Sequence, residues 1–414
     1  MLAFRTLLLP VKSLRWTLKV LDTPAPRVYS WNSRAESHPV GAEFIIMDKI
    51  EGVPLSQVWG NMKLPQKLQV LLAMTRLQKQ WLSISFSHYG SLYYAGDVQP
   101  ATVGSHYVKD GKAVKDSEFA IGPTTGRDWF DGGRSILDTE RGPWASLTEY
   151  LQAVGTREMK ATQTLKPPKQ MALFCGPKLY RPDTEKKLTA LAWYRQIVNS
   201  LIPKDTTITN PCLWHNDLHD DNIFVDPHNP EKITGIIDWQ SCNIAPLFNH
   251  SPDPAFLDWD NGLEPETLDL APKPKLSQLS SPEEKSAALR EYTVQNVFIA
   301  WRKLMHAKNP DLYRVVEFRK TAAYGLIFLA HRMFEYGEAH FQSLLVDLKD
   351  TWADLPAVVT DDTPFPFDFS EVDFERIKLD SDGAVAGTEL VAEVKETMGD
   401  LWPDKGFIEH ERYE

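Results

Sequence analysis

The sequence predicts an α+β protein, with strands near its N-terminus and at its centre and helices over most of the remainder. Two short apolar segments between residues 26 and 49 have the composition of strands, and residues 223–237 have the pattern of a β-hairpin. Residues 286–352 carry apolar side chains at helical spacing. These three observations indicate a small β portion joined to a large, mainly helical portion.

Length and composition restrict the classes of protein to which this chain can belong. With 414 residues, 43% of them hydrophobic, it can bury one large or two moderate cores as a soluble globular protein. The net charge of −11 and the absence of a clustered basic stretch argue against a nucleic-acid partner. No apolar run approaches the roughly 20 residues that a membrane span needs. Three scattered cysteines exclude a disulfide framework and a zinc knuckle.

The first 21 residues are basic, because they contain Arg5, Lys12, Arg15 and Lys19 and no acid precedes Asp22. An amphipathic, basic and acid-poor segment is typical of a mitochondrial presequence. A short basic helix that belongs to the folded domain has the same composition. The sequence therefore leaves a mitochondrial and a cytoplasmic location open.

The first elements follow from local composition. Residues 26–31 and 43–49 are predicted to be strands that pair with each other, and residues 65–82 a helix that starts at Pro65. The inward face of this helix is predicted to carry Leu68, Leu71, Leu72 and Leu82. Further helices are predicted at residues 147–160, 183–201 and 390–398, with several between 286 and 352, and residues 251–285 are predicted to be a proline-rich loop region.

The most informative stretch covers residues 213–239 and reads LWHNDLHDDNIFVDPHNPEKITGIIDW. Two apolar runs flank a cluster of turn formers, which predicts an antiparallel hairpin. In such a hairpin Asn222, which enters the first strand, lies beside Asp238, which leaves the second, although sixteen positions separate them. Their side chains carry the oxygen ligands that Mg²⁺ prefers. The spacing therefore predicts a magnesium site at one end of the hairpin.

The loop before this hairpin supplies the other half of the predicted chemistry. Asp217 is placed to orient or deprotonate a substrate hydroxyl near a transferred phosphate, and His215 is predicted to brace the loop by hydrogen bonds. Two alternatives use the same residues. His215 and His219 are four apart, as helical zinc ligands are, but Asn216 stands where the His-Glu-x-x-His pattern requires Glu. The hairpin with its surface acids can also be purely structural.

Residues 215–222, HNDLHDDN, followed by IIDW at 236–239, resemble the catalytic loop and metal-binding segment of the aminoglycoside phosphotransferase and choline kinase-like family, relatives of the protein kinases. The resemblance implies a protein-kinase-like fold with a truncated small β lobe and a large, mainly helical C-lobe. It also implies ATP and Mg²⁺ as cofactors and a small-molecule hydroxyl as acceptor. Carried over by position, it makes Asp217 the catalytic base, Asn222 and Asp238 the magnesium ligands, and His215 the structural histidine.

The same resemblance divides the chain. Residues 1–50 correspond to a remnant of the small lobe and the hinge, residues 51–355 to the C-lobe with its catalytic loop at 213–239, and residues 356–414 to a C-terminal extension. The backbone of Met47, Asp48 and Lys49 then meets the adenine of ATP by main-chain hydrogen bonds. Four further segments resemble those of a fungal subgroup of this family that is linked by name to mitochondrial inheritance. These segments are residues 87–93, 119–123, 141–144 and 245–248.

The resemblance fails at its N-terminal edge. A kinase-like small lobe needs a Gly-rich turn over the phosphates, a strand Lys and a helix Glu that holds this Lys. No glycine precedes Gly41, and the first helix has no Glu to pair with Lys12 or Lys19. Two explanations follow. The chain is a shortened product of a longer, active enzyme, or it is a catalytically impaired kinase-like binding or scaffold protein, with a mitochondrial role as one option.

Overall fold

A computed structural model of the chain describes residues 8–98, 105–167, 180–240, 242–257, 268–355, 357–358 and 363–402. The Cα positions divide it into two compact units. The first unit comprises Met1–Trp129, Arg141–Tyr150 and Asp205–Arg319, and the second comprises Phe130–Glu140, Leu151–Lys204 and Lys320–Glu414. Among the described residues no helix is both long and apolar enough to cross a bilayer.

Helices account for most of the regular structure, in agreement with the predicted α+β class, whereas the kinase-like arrangement of lobes stays a prediction. In chain order the helices are α1 (Leu8–Leu21), α2 (Ser56–Trp59), α3 (Leu64–Leu82), α4 (Leu147–Thr164), α5 (Thr184–Leu201), α6 (Thr206–Thr209), α7 (Pro282–Lys308), α8 (Pro310–Arg319), α9 (Ala322–His331), α10 (Met333–Tyr336), α11 (Ala339–Thr351) and α12 (Glu371–Met398).

The strands are short and form small sheets within the first unit. They are β1 (Val28–Asn32), β2 (Phe44–Met47), β3 (Val53–Pro54), β4 (Ile84–Phe86), β5 (Ser91–Tyr94), β6 (Tyr107–Lys109), β7 (Lys112–Val114), β8 (Phe119–Gly122), β9 (Pro211–Leu213), β10 (Ile223–Val225), β11 (Ile233–Ile236) and β12 (Ile244–Pro246). The strand orders are β1-β2, β11-β10-β3, β12-β9, β4-β6-β7 and β5-β8, and every pairing is antiparallel.

The N-terminal basic segment forms a packed helix over its described part. In α1 the side chains of Val11, Leu14 and Trp16 are buried. Lys12 is also buried, with its Nζ 3.0 Å from a carboxylate oxygen of Asp97. An ion pair compensates a buried ammonium for the water it loses. Residues 8–21 therefore match the prediction of a basic helix that belongs to the folded domain.

The predicted pairing of the first two strands and the predicted long helix are both present. Strands β1 and β2 pair from Val28↔Met47 to Asn32↔Phe44. Helix α3 ends at the predicted residue and begins one residue before the predicted start, but its inward face is rotated from the predicted one. Of the four predicted leucines only Leu71 is buried, because the helix packs against α7 through a neighbouring stripe. This stripe comprises Val70, Leu71, Met74, Thr75, Gln78 and Trp81.

The second unit contains a buried network of charged side chains. Arg134 follows Gly132 and Gly133, which both have positive φ and so form a turn that glycine adopts without strain. The Arg134 guanidinium donates to both carboxylate oxygens of Glu158, at 2.9 and 3.0 Å, and also to Glu335. Burial raises the pKa of Glu158, and the two neighbouring arginines oppose this shift.

Helix α12 is much longer than predicted, since it begins at Glu371 rather than at residue 390. Ser370 and Asp373 form a capping box that starts it, with Ser370 Oγ accepting from Asp373 N at 3.2 Å. Gly383 and Gly387 lie in the interior of this helix, where glycine has a low helix propensity. In the structure Gly383 allows close packing, because a Cβ there would lie 2.8 Å from the backbone nitrogen of Tyr180.

Candidate active site

The predicted hairpin brings Asn222 and Asp238 to one end of a small sheet. Strands β10 and β11 pair with Ile223 opposite Ile236, and the amide of Ile237 donates to the carbonyl of Asn222 at 3.0 Å. Strand β3 pairs with the other edge of β10. Asn222 accepts this backbone hydrogen bond, and Asp238 directly follows its donor. The two predicted metal ligands therefore lie at one end of a three-stranded sheet in which β10 pairs with a strand on each side.

The loop that carries Asp217 is closed by hydrogen bonds to its own backbone. The Asp217 carbonyl accepts from Asn222 Nδ2 at 2.8 Å and from the His219 amide at 2.9 Å. Its carboxylate lies 2.9 Å from His219 Nε2 and is 47% exposed. Asp217 thus combines a fixed backbone with a carboxylate that a solute can reach.

His215 joins the two halves of the site. Its ring is buried, and its Nε2 lies 2.7 Å from the carbonyl oxygen of Ile237, while its Nδ1 accepts from the Asp217 amide at 3.3 Å. Burial lowers the pKa of His215 to about 4, so the ring is neutral at physiological pH. Because both ring nitrogens are engaged, the zinc alternative has no free ligand atom at His215.

Asp238 occupies a strained position in the backbone. Its φ is +61°, in the left-handed region that non-glycine residues rarely adopt. Such strain persists only where the surroundings enforce it, and it is concentrated at functional sites. Burial and the nearby negative charge of Asp217 raise the pKa of the Asp238 carboxyl, while Gln240 Nε2 donates to its Oδ2 at 3.2 Å. The two carboxylates are therefore close enough to repel each other.

A second brace was not predicted from the sequence. Asn216 and His250 are bonded at 3.1 Å, His250 Nε2 lies 3.1 Å from the Cys212 carbonyl, and the Ser251 amide donates to Asn216 at 3.2 Å. Burial lowers the pKa of His250 to about 4. Asn216 had a signal, since it directly precedes Asp217. His250 lies 34 residues further along the chain, two positions after the segment at 245–248, and nothing in the sequence indicates it as a partner of Asn216.

Three buried indole rings pack together, and one of them contacts the ring of His215. Trp81 of α3 makes edge contacts with Trp214 and Trp239, with ring centroids 5.3 and 5.5 Å apart. Trp239 also contacts the ring of His215, at 4.8 Å between centroids. The indole nitrogen of Trp214 donates to the Ser251 carbonyl at 2.8 Å. The residues that adjoin His215 and Asp238 along the chain, Trp214 and Trp239, are thus anchored in the core of the first unit.

The predicted hinge residues lie at the end of β2 and are exposed. Met47 ends the strand, and Asp48 and Lys49 follow it. The Asp48 amide donates to the Arg27 carbonyl at 3.0 Å, and the Asp48 carboxylate accepts from Tyr29 and from the Arg27 amide. The chain continues from these residues to β3, which begins at Val53 and pairs with β10. Their contact with adenine stays a prediction.

The donor set suits a hard divalent cation. Asn222 uses its amide nitrogen on the Asp217 carbonyl, so its side-chain oxygen is the atom that can ligate. Asp238 adds a partly buried carboxylate whose ionised form is disfavoured by burial and by Asp217. A divalent cation between these oxygens would relieve that repulsion. Among the described residues no group of three or more His, Cys, Asp or Glu side chains is arranged to hold a metal.

A comparison with protein families agrees with the motif. Residues 157–249 match the model of the phosphotransferase enzyme family. This segment contains His215, Asp217, Asn222 and Asp238. The match confirms the resemblance to a phosphotransferase family that residues 215–222 and 236–239 predict.

Curated relatives are fungal. The chain is 28% identical to a subtelomeric hrmA-associated cluster protein of Aspergillus fumigatus over 62% of this chain and 53% of that protein. It is 22% identical to the altered inheritance of mitochondria protein 9 of Komagataella phaffii over 72% and 49%. It is 24% identical to the clavilactone A biosynthesis cluster protein Y of Ampulloclitocybe clavipes over 62% and 54%. The chain spans about half the length of the curated relatives it matches.

Proposed function

Because residues 157–249 match the phosphotransferase enzyme family, we propose that this protein transfers the γ-phosphate of ATP to a hydroxyl of a small molecule. One observation carries the proposal. The loop of Asp217 and the end of the hairpin are joined through the bond between His215 Nε2 and the Ile237 carbonyl, at 2.7 Å. That bond holds a candidate base beside the two candidate metal ligands, Asn222 and Asp238.

Asp217 is the candidate general base. Its carboxylate is half exposed, so an acceptor hydroxyl can reach it, and its backbone carbonyl is held by Asn222 and His219. A carboxylate in this position accepts the hydroxyl proton as the oxygen attacks phosphorus. The contact with His219 at 2.9 Å orients the carboxylate before an acceptor binds.

Asn222 and Asp238 are the residues that would hold Mg²⁺. When bound, the ion supplies positive charge that stabilises the phosphate oxygens during transfer. The protein's own contribution is to hold these two oxygen donors on a hairpin whose register is fixed by β3, β10 and β11. Without a cation, the charges of Asp217 and Asp238 would repel a triphosphate.

The assignment is tested by calorimetric titration with ATP, with and without Mg²⁺, and by turnover with a panel of hydroxylated small molecules and with water as acceptor. Asp217→Asn should abolish turnover and leave nucleotide affinity nearly unchanged. Asp238→Ala should remove the magnesium dependence of nucleotide binding. Asp220→Asn, a carboxylate change three residues from Asp217, is the matched control.

The outcomes separate the competing explanations. Equal turnover by wild type and Asp217→Asn would overturn the assignment of the base, and unchanged magnesium dependence in Asp238→Ala would overturn that of the metal ligand. Magnesium-dependent ATP binding without turnover on any acceptor would support the alternative, a catalytically impaired kinase-like binding or scaffold protein.

The cellular location and the class of partner are also part of the proposal. Several of them carry the word mitochondrial in their names, and we propose a mitochondrial location with a cytoplasmic one as the alternative. We also propose a small molecule rather than a nucleic acid as the partner, because the chain is acidic overall. Fractionation of cells that express the tagged full-length protein tests the location.

A further inference from the structure

We propose that Trp59, Phe256 and Lys67 form an acceptor subsite beside the loop of Asp217, and that this subsite takes a hydroxylated compound with an apolar ring and an anionic group. The inference rests on the proposed phosphotransfer and names the class of its acceptor. We call these three residues the aromatic-lysine site. They lie in the first unit, on α2, on α3 and on a short turn at Ala255–Leu257.

Helix α2 is bonded to the last part of the catalytic loop. Its first residue, Ser56, donates from Oγ to Asp221 Oδ1 at 2.5 Å. The amide of Leu55, directly before the helix, donates to the Ile223 carbonyl at 2.7 Å. Trp59 is the last residue of the same helix. Its indole is therefore carried by backbone that is held by the two residues that flank the candidate metal ligand at position 222.

Phe256 is attached to the same loop from a different part of the chain. The Ala255 amide donates to the Leu218 carbonyl at 3.1 Å, and Leu218 directly follows Asp217. The next side chain, that of Leu257, is buried and anchors the turn. The two aromatic residues therefore belong to segments that are bonded to the loop at neighbouring positions, 218 and 221.

The rings of Trp59 and Phe256 meet edge to face and keep part of their surface exposed. Their centroids are 5.0 Å apart and their planes are inclined by 78°. Both side chains are half-buried, in contrast to the buried cluster of Trp81, Trp214 and Trp239. A pair of this kind offers an apolar surface, and ligand sites are lined largely by such side chains. The pair is thus suited to the ring of an acceptor.

Lys67 places a positive charge at this pair. Its Nζ lies 4.8 Å from the centroid of the Trp59 ring, which is a cation–π contact. Its side chain is half-buried, and burial lowers the pKa of its ammonium. Among the residues that the structure describes, no carboxylate is paired with it. An anionic group of a ligand would supply the missing counter-charge.

Buried lysines elsewhere in the described ranges have protein oxygens as partners. Nζ of Lys12 lies 3.0 Å from a carboxylate oxygen of Asp97, and Nζ of Lys187 donates to the Phe334 carbonyl at 2.9 Å. Lysine is rarely buried unless it is paired. The partial burial of Lys67 without such an oxygen is therefore the observation that indicates an anionic ligand.

Electrostatic repulsion determines how such an acceptor is oriented. Asp217 and Asp238 are close enough for their charges to interact. They repel an anionic group, whereas Lys67 attracts it. The hydroxyl of the acceptor is then directed to the Asp217 carboxylate and its anionic group to the lysine. A cationic acceptor would meet the charge of Lys67, so the subsite selects against it.

Binding is tested with the full chain and three small probes that share a benzene ring and a hydroxymethyl group. They are para-(hydroxymethyl)benzoate, its neutral amide and the corresponding benzylammonium, and dissociation constants are measured by ligand-observed NMR. Wild type should bind the carboxylate about tenfold more tightly than the amide, and the ammonium most weakly. Glycolate, a hydroxylated carboxylate without a ring, should bind about tenfold more weakly than the benzoate.

Substitutions separate the role of the charge from that of the rings. Lys67→Gln should remove the preference for the carboxylate over the amide, and Lys67→Arg should restore it. Trp59→Ala and Phe256→Ala should weaken the binding of carboxylate and amide alike, by about tenfold. The matched controls are Lys79→Gln, which changes an exposed residue of α3, and Phe328→Ala, which changes an exposed residue of the second unit. Both should bind as wild type does.

The phosphates of ATP share the chemistry of the anionic group, so calorimetry must separate these two sources. Lys67→Gln should keep the wild-type affinity for ATP with Mg²⁺ within about twofold, and the benzoate should bind equally well with and without ATP. A loss of about tenfold in ATP affinity would assign the ammonium to the nucleotide and overturn the acceptor subsite.

Other results bear on the subsite and on the activity separately, because the binding measurements need no turnover. Equal affinity of wild type for carboxylate and amide, or a carboxylate preference that survives in Lys67→Gln, would overturn the subsite. A chain that binds the benzoate through Lys67 but transfers no phosphate supports the binding site and contradicts the proposed activity. Transfer to neutral acceptors as readily as to anionic ones supports the activity and overturns the subsite.

Discussion

His215 is bonded through Nε2 to the carbonyl oxygen of Ile237, 2.7 Å away, so the loop of Asp217 is fastened to the residue directly before Asp238. The same ring accepts the Asp217 amide through Nδ1. One neutral imidazole therefore sets the spacing between two carboxylates that come from different segments of the chain.

Loss of the His215 ring should affect both stability and the site. His215→Ala removes two hydrogen bonds and leaves the Ile237 carbonyl and the Asp217 amide without their partner, at an expected cost of about 2 to 4 kcal/mol in the free energy of unfolding. Any phosphotransfer activity should fall further than stability alone explains. Urea unfolding and turnover check both effects.

His219→Ala is the control for that change, since the His219 side chain is 57% exposed and contacts Asp217 only through a surface pair. Its expected cost is below about 1 kcal/mol. Equal stability losses in the two variants would show that His215 is not the brace described here.

Acid should destabilise the fold in a defined window. Burial holds the pKa of His215 and of His250 at about 4, below their ordinary value of 6.5. Between these two pH values the unfolded chain therefore binds more protons than the folded chain. The contribution of these two histidines to the free energy of unfolding is at its maximum above pH 6.5 and is lost as the pH falls towards 4. The expected loss is about 3 kcal/mol for each histidine.

Urea unfolding of the full chain between about pH 7.5 and about pH 4 measures this loss. In His250→Asn, which keeps a neutral hydrogen-bonding side chain, the decrease should be about half as large. The same pH dependence in wild type and in this variant would contradict a buried, neutral His250.

The negative charge of Asp238 is expected to lower the stability of the folded chain. Its carboxyl pKa is raised by burial and by Asp217, so the ionised form is disfavoured in the folded chain at neutral pH. Asp238→Asn removes that charge and should raise the melting temperature at neutral pH. The gain should fade as the pH decreases through the raised pKa, because the wild-type carboxyl is then protonated.

Thermal unfolding of both proteins at neutral and acid pH, in the absence of divalent cations, makes this comparison. Asp226→Asn is a suitable control, because backbone donors in the hairpin turn lower the pKa of this carboxyl instead. A lower melting temperature for Asp238→Asn at neutral pH would mean that the Asp238 charge stabilises the fold.

The buried network in the second unit should respond strongly to the loss of one partner. Glu158→Gln leaves the Arg134 and Arg157 guanidinium groups with less compensating charge in a buried environment, and breaking a buried pair in this way costs about 3 to 5 kcal/mol. The matched control is Glu118→Gln, which breaks the exposed pair of Glu118 and Lys19 at a cost of about 0 to 1 kcal/mol. Urea unfolding ranks the two variants, and equal losses would contradict the burial of the network.

The hairpin and the loop before it were predictable because local signals agree there. Apolar runs flank a turn-forming cluster, and the register that follows places Asn222 beside Ile237. The polar residues at fixed offsets indicated the chemistry independently. Prediction succeeded where neighbours along the chain are also neighbours in the structure.

Other features depend on contacts that the local sequence does not encode. The pairing of β3 with β10 joins segments about 170 residues apart, and no pattern near Val53 announces it. His250 braces Asn216 from beyond the metal segment. The inward face of α3 depends on where α7 packs, and the close packing of α12 against Tyr180 at Gly383 is likewise a long-range contact.

The contacts of Trp81 with Trp214 and Trp239 provide an optical probe of the site. Three indoles with ring centroids 5.3 and 5.5 Å apart, and planes inclined by 89° and 74°, couple electronically and contribute to near-ultraviolet circular dichroism. That signal disappears when side-chain packing loosens, even if the helices persist. Since Trp214 and Trp239 adjoin His215 and Asp238 in the sequence, the contribution of these three indoles to the band depends on order around the loop of Asp217.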